Sequence, residues 1–335
     1  MIARYTRRLD YWVVTLALKQ QKMTLMRDLD PSRLANQQSV VTIGSFDGVH
    51  LGHQSILQQV IDRAESLNCL SVVMTFEPQP QEYFSAQTAP PRLMRLREKI
   101  EALLDFGVDL VVCMRFNEEL RQLTAEQFVN KVLVNGVKTQ HLIVGDDFRF
   151  GCDRKGDFQM LEAMGRQQGF TVQDTQTVEV QSRRVSSTLV RELLQGSDFK
   201  QVGDLLGRSF TISGKVTYGQ QLGRKLGFPT ANLNLNRFRA PLAGVYAVWV
   251  EIEGMAGRFK GAANVGVRPT IGDKVKPILE VHLLDFDQQI YGRRITVEFV
   301  HKIRDEQQFT SLDNLADSIG EDVKKINQWF ENNNP

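Results

Sequence analysis

The chain has 335 residues, of which 42% are hydrophobic and 24% are charged, as expected for a globular protein long enough for two domains with separate cores. Its 41 lysines and arginines are balanced by 39 acidic residues, so the formal net charge is only +2, and the basic residues form no concentrated stripe. These features argue against a dedicated nucleic-acid-binding protein, and no apolar stretch is long enough to span a bilayer. We therefore expect neither a nucleic-acid nor a membrane partner, while the composition permits an oligomer without requiring one.

The first residues combine basic side chains with a short apolar run. Three arginines among the first eight residues precede the apolar residues 11–18, as in a signal peptide, but the run is short and no small-residue cleavage site follows. We expect residues 1–25 to be an N-terminal extension, with the functional chain beginning near Met23 or Met26.

The three cysteines, Cys69, Cys113 and Cys152, are widely separated along the chain. They lack the paired spacing of a zinc site, and their odd number does not fit a disulfide framework. This pattern favours structural cysteines in a reduced, cytoplasmic setting.

Short β-branched runs alternate with helical patterns in residues 26–207. The predicted strands are Val40–Gly44, Leu70–Phe76, Asp109–Met114 and His141–Gly145, and the predicted helices are Ser55–Leu67, Leu93–Phe106, Ala125–Val134 and Phe158–Gln168. This alternation predicts a Rossmann-like α/β domain with a parallel sheet, which binds ligands at the carboxyl ends of its strands.

Strands and turns dominate residues 208–335. The predicted strands are Phe210–Val216, Gly244–Ile252, Phe259–Asn264, Leu279–Leu284 and Ile295–Val300. We expect a small, closed antiparallel β-barrel, against which an amphipathic helix over Leu312–Phe330 packs.

A strand, a glycine-containing turn and the start of a helix follow one another in residues 41–53. Free backbone N–H groups and the helix dipole favour an anion at such a helix start. Gly48 and Gly52 allow the main chain to approach a ligand, and the spacing of His50 and His53 puts both rings on one side. The pattern predicts a polyphosphate site, and the simpler interpretation is a glycine turn with two surface histidines.

Two further segments offer polar groups in the first domain. Ser186 or Ser187 can cap a helix, and the hydroxyls of this segment together with Arg191 can donate to phosphate oxygens. As an isolated string, it more often marks an ordinary helix cap. Asp147 follows the fourth predicted strand, at the end of the sheet where ligands bind. The simpler interpretation is that it lies in a solvated turn.

A glycine-spaced, basic loop in residues 214–232 ends in Pro229-Thr230-Ala231-Asn232. Its spacing differs from that of a P-loop, and by composition alone a solvated hairpin is the simpler interpretation. Thr230 and Asn232 are two residues apart in an extended segment, so their oxygens can share a hard cation such as Mg²⁺.

Glu280 lies in an apolar predicted strand, on the face opposite to Leu279 and Val281. A solvent-facing carboxylate is the ordinary explanation. Arg293, Arg294 and Arg304 are candidate phosphate contacts, and surface ion pairs explain them equally well.

Several of these strings resemble motifs of known enzymes. The nucleotide-binding signature of bacterial FAD synthetases is similar to the string Gly44-Ser45-Phe46-Asp47-Gly48-Val49-His50-Leu51-Gly52-His53. Residues 145–151 and 186–191 resemble further elements of the same family. The Pro-Thr-Ala-Asn string and residues 264–270, 279–286 and 291–292 resemble riboflavin kinases. From about Val40 to Phe330, the chain is therefore similar to the bifunctional riboflavin kinase/FMN adenylyltransferase family.

The resemblance implies two successive reactions with ATP as co-substrate and Mg²⁺ as cofactor. The C-terminal module would phosphorylate riboflavin to FMN with Glu280 as catalytic base, and the N-terminal module would adenylylate FMN to FAD with His50 and His53 as catalytic residues. The implied binding residues are Gly44, Phe46, Asp47, Gly48, Gly52, Asp147, Ser187, Thr188, Arg191, Gly223, Thr230 and Asn232, of which Thr230 and Asn232 would hold the metal. Gln79 stands where the family often has a histidine, in a segment associated with the flavin pocket.

Two other functions fit part of the pattern. A flavin-storage protein would keep the pockets without the chemistry, but the histidine pair and Glu280 are intact. A different nucleotidyltransferase with an unrelated β-domain would leave Pro229–Asn232 and Glu280 unexplained.

Overall fold

The computed structural model describes residues 25–34, 37–145, 147–175, 178–180, 183–219, 221–235, 237–269 and 275–333. It divides into two compact units. The first comprises the described residues up to Ser45, Ile56–Gln79 and Ile100–Gln176, and the second comprises Phe46–Ser55, Pro80–Lys99 and the chain from Thr177 onwards. Apart from Leu25, the predicted N-terminal extension lies outside the described residues.

The first unit is built on a six-stranded sheet in which all pairings are parallel. In spatial order the strands are β1 (Leu25–Arg27), β4 (Leu110–Arg115), β3 (Leu70–Glu77), β2 (Ser39–Ile43), β5 (Thr139–Val144) and β6 (Thr171–Asp174). Every residue of β2 is buried, because alternate side chains enter two separate apolar clusters. The predicted parallel sheet is confirmed.

Among the described residues of the first half of the chain, six segments are α-helical, in addition to two short 3-10 helices at Pro31–Leu34 and Cys152–Arg154. The α-helices are α1 (Leu51–Leu67), α2 (Pro80–Ser85), α3 (Leu96–Phe106), α4 (Glu118–Arg121), α5 (Ala125–Phe128, continued as a π-helix over Val129–Val134) and α6 (Phe158–Gln168). On one face of β2, Val40 packs with Val60 and Ala64 of α1. On the other face, Val41 belongs to the same cluster as Phe128 of α5.

The second unit contains a closed barrel of six antiparallel strands, which confirms the predicted barrel. Around the barrel the strands are β10 (Ala231–Asn234), β13 (Val275–Leu283), β12 (Phe259–Pro269), β11 (Gly244–Ile252), β14 (Arg294–Arg304) and β9 (Thr211–Thr217), which pairs with β10 to close it. A two-residue hairpin, β7 (Glu179–Val180) with β8 (Arg183–Arg184), precedes the barrel.

In the described part of the second half, four helices accompany the barrel: α7 (Ser187–Gln195), α8 (Phe199–Leu206), α9 (Leu222–Lys225) and α10 (Leu312–Asn332). The predicted terminal helix is confirmed as α10, where Ile326 and Phe330 are completely buried against Ala247 of β11. Leu93, which precedes α3, belongs to the barrel's own hydrophobic core.

The structure differs from the predicted elements at several boundaries. Helix α1 begins at Leu51 rather than Ser55, and α3 begins at Leu96 rather than Leu93. Strands β1, β6 and β10 were not predicted, because strands of three or four residues are too short to show an alternating pattern.

None of the three cysteines, all of which the structure describes, forms a disulfide. Among the described residues, no helix combines the length and the apolar character that crossing a membrane requires.

Candidate active sites

His50 is the N-terminal cap of helix α1. Its carbonyl oxygen accepts the Gln54 N–H at 2.9 Å, and its ring Nδ1 accepts the His53 N–H at 3.2 Å. A ring nitrogen that accepts a hydrogen bond carries no proton, so the neutral His50 ring carries its proton on Nε2. The cap thereby fixes the tautomer in which Nε2 is a donor.

The rings of His50 and His53 stack, with their centroids 3.7 Å apart and their planes at 12°. Burial lowers the pKa of His50 to about 4, although Asp47 opposes the shift. Burial also holds the pKa of His53 well below its usual range, and the neighbouring His50 and Lys99 act in the same direction. Both rings are therefore neutral at physiological pH, and the pair supplies N–H donors rather than fixed cations. Among the described residues, no partner satisfies the buried Nδ1 of His53.

The Asp47 carboxylate is 1% exposed and is held by partners distant in the sequence. It accepts the N–H groups of Leu93 at 2.9 Å and Met94 at 3.0 Å. It also forms an ion pair with Arg191, whose Nη2 lies 2.6 Å from Oδ2. The carboxylate thus joins residues 44–53, here called the histidine loop, to the segment before α3 and to helix α7.

Glycines of the histidine loop are needed for close packing. Gly48 has φ +91°, and a Cβ atom on it would lie 2.8 Å from Cδ1 of Leu93. A Cβ atom on Gly52 would come within 3.2 Å of the His50 ring. Phe46, at φ +48°, is buried with its ring centroid 5.0 Å from that of His53. Gly44 ends β2, where its N–H donates to the Met74 carbonyl at 3.1 Å.

Helix α7 brings further donors to the histidine loop. Ser186 caps the helix by accepting the Leu189 N–H. The hydroxyl of the next residue, Ser187, is not used in the cap and donates to the Asp47 carbonyl oxygen at 2.8 Å. Arg191 also donates from Nε to the Pro91 carbonyl at 2.7 Å. Thr188, by contrast, is exposed.

Asp147 and Gln79 belong to the first unit. Asp147 is exposed on the turn after β5, whereas Gln79 follows β3 and is only 9% exposed. The neighbouring Asp146 lies outside the described residues.

In the second unit, two cavities meet at the end of the basic loop. One has a volume of about 330 Å³ and the other about 360 Å³, and both are lined by Gln221, Thr230 and Asn232. The first is also lined by Glu280, Phe228, Phe309, Leu315 and Ile319, and the second by Arg224, Phe286 and Tyr291. Their size is that of ordinary small-molecule sites.

Asn232 and Thr230 form a compact polar pair at this junction. The Nδ2 atom of Asn232 lies 3.3 Å from Oγ1 of Thr230, and a half-turn of the amide would put its oxygen there instead. Gly219 makes room for the amide, because a Cβ atom on Gly219 would lie 2.4 Å from Oδ1 of Asn232. Two neutral oxygens side by side fit a hard cation that completes its shell with phosphate and water.

Glu280 is half-buried on β13, where it pairs in register with Asn232 on one side and Asn264 on the other. The neighbouring His282 contacts the Pro229 carbonyl from Nδ1 at 2.9 Å, so Nδ1 must donate. The strand pairing thus aligns the Glu280 carboxylate with the side-chain amide of Asn232. Across the part of the chain that the structure describes, no three His, Cys, Asp or Glu side chains are arranged to hold a metal ion.

Gly223 lies in α9, beside this junction. A Cβ atom there would come within 2.4 Å of the Phe228 carbonyl oxygen, so a side chain would disturb the turn that leads to Thr230.

Several important residues were not identified from the sequence. Leu93 and Met94 act through backbone N–H groups, for which no side-chain signal exists. Arg208 donates to the Gly48 carbonyl at 2.7 Å. Arg304, considered as a phosphate contact, instead forms a two-pronged ion pair with Asp322 of α10 at 2.7 to 3.0 Å.

Comparison with known proteins agrees with two nucleotide-handling modules. The family model described as FAD synthetase matches residues 32–189, and that described as riboflavin kinase matches residues 206–330. A bifunctional riboflavin kinase/FMN adenylyltransferase of Pseudomonas fluorescens is 52% identical over 301 residues, which cover 90% of this chain and 96% of that protein. The chain belongs to the bifunctional riboflavin kinase/FMN adenylyltransferase family.

Other similarities extend over the same length. The bifunctional riboflavin kinase/FMN adenylyltransferase of Escherichia coli strain K12 is 44% identical over 310 residues, covering 92% of this chain and 98% of that protein. A crystal structure described as a macrolide-efflux protein from Streptococcus pneumoniae has a TM-score of 0.73 at 29% identity, over 92% of this chain and all of that one.

Membership of the family confirms the predicted activity. The protein is a flavin-cofactor biosynthesis enzyme that phosphorylates riboflavin to FMN and adenylylates FMN to FAD, and ATP is a substrate of both reactions.

Proposed function

We propose that riboflavin is phosphorylated where the two barrel cavities meet. The observation that carries the proposal is that Thr230 and Asn232 line both cavities, while Glu280 lines one of them. The Glu280 cavity has aromatic and aliphatic walls suited to a flavin ring system, so riboflavin occupies it and ATP occupies its neighbour. This arrangement brings a ribityl hydroxyl and the γ-phosphate together at Thr230.

Glu280 acts as the catalytic base of this reaction. Its carboxylate accepts the proton of the primary alcohol as the alcohol oxygen forms a bond to the γ-phosphorus and the bond to the β-phosphate oxygen breaks. Thr230 and Asn232 hold Mg²⁺, which neutralises charge on the ATP phosphates when bound. Gly223 shapes the loop that covers the phosphates.

We propose that FAD forms at the histidine loop. An oxygen of the FMN phosphate attacks the α-phosphorus of ATP and pyrophosphate leaves, so the reaction needs neither a protein nucleophile nor a base. The neutral His50 and His53 donate N–H groups to the phosphates, which disperses the charge of the departing pyrophosphate.

The remaining predicted residues of this site have two kinds of role. Ser187, Thr188 and Arg191 contribute further donors to phosphate oxygens, and Asp147 contacts the nucleotide. Gly44, Phe46, Gly48 and Gly52 give the loop its shape. Asp47 is a positioning residue, because its contacts to Leu93, Met94 and Arg191 tie the loop down.

We further propose that the functional domains are residues 26–207 and 208–335, preceded by an extension, and that the enzyme works in the cytoplasm. The lack of disulfides among its cysteines is consistent with that setting. Its partners are small molecules, and neither nucleic acid nor a membrane takes part.

The two site assignments are tested by supplying each substrate separately. With riboflavin, ATP and magnesium, Glu280→Gln is expected to form no FMN, yet to convert added FMN to FAD at the normal rate. His53→Ala should accumulate FMN without FAD. Chromatographic separation of the flavins over time reads out both reactions, and circular dichroism checks folding.

Two outcomes would contradict the assignments. Loss of both reactions in a folded Glu280→Gln protein would count against separate sites, and normal FAD formation by His53→Ala would make the histidine loop structural. A storage protein would bind flavin without releasing ADP or pyrophosphate.

A further inference from the structure

We propose that Arg237 is a positioning residue for adenylyl transfer, although it lies in the stretch that matches the riboflavin kinase model. It acts through Glu98 on the backbone that holds Asp47, and therefore on the histidine loop. The inference rests on the proposed adenylylation site and adds a residue from the other module to it. Arg237, Glu98 and Asp47 all belong to the second compact unit.

Arg237 contacts residues 92–98, which run into the first turn of α3. Its side chain is completely buried, which is exceptional for an arginine. Its Nη2 donates to Oε2 of Glu98 at 3.0 Å, and its Nη1 donates to the Arg92 carbonyl at 3.0 Å. Both guanidinium ends therefore grip the segment rather than the barrel strands.

Glu98 connects the same segment to the barrel. One carboxylate oxygen accepts the Ser213 N–H of β9 at 2.8 Å, and the other accepts the Arg95 N–H at 2.6 Å. Arg95 in turn donates from Nη2 to the Ser213 carbonyl and from Nη1 to the Asn234 carbonyl. Glu98 is itself only 8% exposed, so its own hydrogen bonds are partly shielded from water.

The other end of the segment holds the histidine loop. The N–H groups of Leu93 and Met94 donate to the Asp47 carboxylate. The Leu93 side chain, 1% exposed, packs against Gly48, where a Cβ atom would lie 2.8 Å from its Cδ1. Residues 92–98 are therefore fixed to the barrel at one end and to the loop at the other.

This connection matters because the proposed reaction depends on position. Adenylyl transfer without a protein nucleophile relies on holding two phosphates in line, and a displacement of about 1 Å at such a site costs about 100-fold in rate. Among the described residues that line the two barrel cavities, neither Arg237 nor Glu98 occurs. Loss of Arg237 should accordingly impair FAD formation and leave riboflavin phosphorylation intact.

The experiment compares Arg237→Met, Arg237→Lys and the control Arg258→Met in the full-length enzyme. Arg258 is a barrel arginine paired with Glu298, and 43% of its side chain is exposed. We expect Arg237→Met to lower kcat for FAD formation from added FMN at least tenfold, with less than a twofold change in riboflavin phosphorylation. Arg237→Lys should recover part of the lost kcat, and Arg258→Met should change neither reaction.

A second variant keeps the test decisive if Arg237→Met does not fold. Glu98→Gln preserves size and removes the charge, so it should also lower FAD formation selectively. In the double variant Glu98→Gln/Arg237→Met, the two losses should be less than multiplicative, because both break the same connection.

Two results would overturn the inference: an equal loss of both reactions, which indicates a merely structural role, or unchanged kcat for FAD formation in folded Arg237→Met. If the adenylylation site itself were wrongly assigned, His53→Ala would form FAD normally. That result does not depend on the Arg237 variants, so the two failures can be told apart.

Discussion

The buried His50 ring should remain neutral far below the pH at which histidine usually titrates. A pKa lowered from 6.5 to about 4 corresponds, at about 1.4 kcal/mol per pH unit, to about 3 kcal/mol by which folding favours the neutral ring. The unfolded chain takes up this proton near pH 6.5 and the folded chain only near pH 4. Stability from His50 is therefore fully present above pH 6.5 and is lost progressively as the pH falls towards 4.

The measurement is a histidine titration by two-dimensional proton–nitrogen NMR on labelled protein. The spectrum of His50→Gln identifies the signal among the five histidines, and urea-unfolded protein supplies the reference midpoint. We expect a midpoint near pH 4, with nitrogen shifts of the tautomer protonated at Nε2. Addition of a non-hydrolysable ATP analogue should raise the midpoint, because phosphate charge stabilises the imidazolium form.

A midpoint near 6.5, or the tautomer protonated at Nδ1, would refute the capping geometry and the view of His50 as a neutral donor. The FAD-forming reaction provides an independent check. The pH profiles of the reaction rate are compared between the unaltered enzyme and His50→Gln. We expect no step near pH 6.5 that is present in the first and absent from the second.

Three further changes test other contacts. Asp47→Asn should reduce FAD formation more than 100-fold and lower the melting temperature, because it leaves Arg191 buried without its charge partner, at a cost of about 3 kcal/mol; calorimetry showing no change would contradict this. Gly219→Ala should slow FMN formation at least tenfold by displacing the Asn232 amide, while FAD formation from added FMN stays normal. If the variant and the unaltered enzyme phosphorylate riboflavin at the same rate, the close approach of Gly219 to Asn232 is unimportant. Arg304→Met should raise the KM for riboflavin more than it lowers kcat, because the arginine fastens α10 as a wall of the Glu280 cavity; steady-state kinetics with an unchanged KM would argue against that wall.

Long, regular elements of both folds were predictable because they carry their own pattern. The nearly continuous apolar run of β11 and the apolar stripe of α10 specify their structures locally, and the structure places them within a few residues of the prediction. The short strand β10 has no such pattern. It exists because β9 and β13 pair with it on either side, and the sequence cannot show those distant partners.

The same distinction separates His50 from Asp47 in the histidine loop. His50 bonds to a residue three positions away, so a local motif was enough to place it at a helix start. Asp47 stands in the same motif, and the family resemblance implied that it binds the nucleotide. Its partners lie 46, 47 and 144 residues further along the chain, and two of them are backbone N–H groups without any sequence signature. A motif therefore identifies residues that act together. Which of them contact the ligand and which hold the loop in place depends on distant segments that pack against the loop.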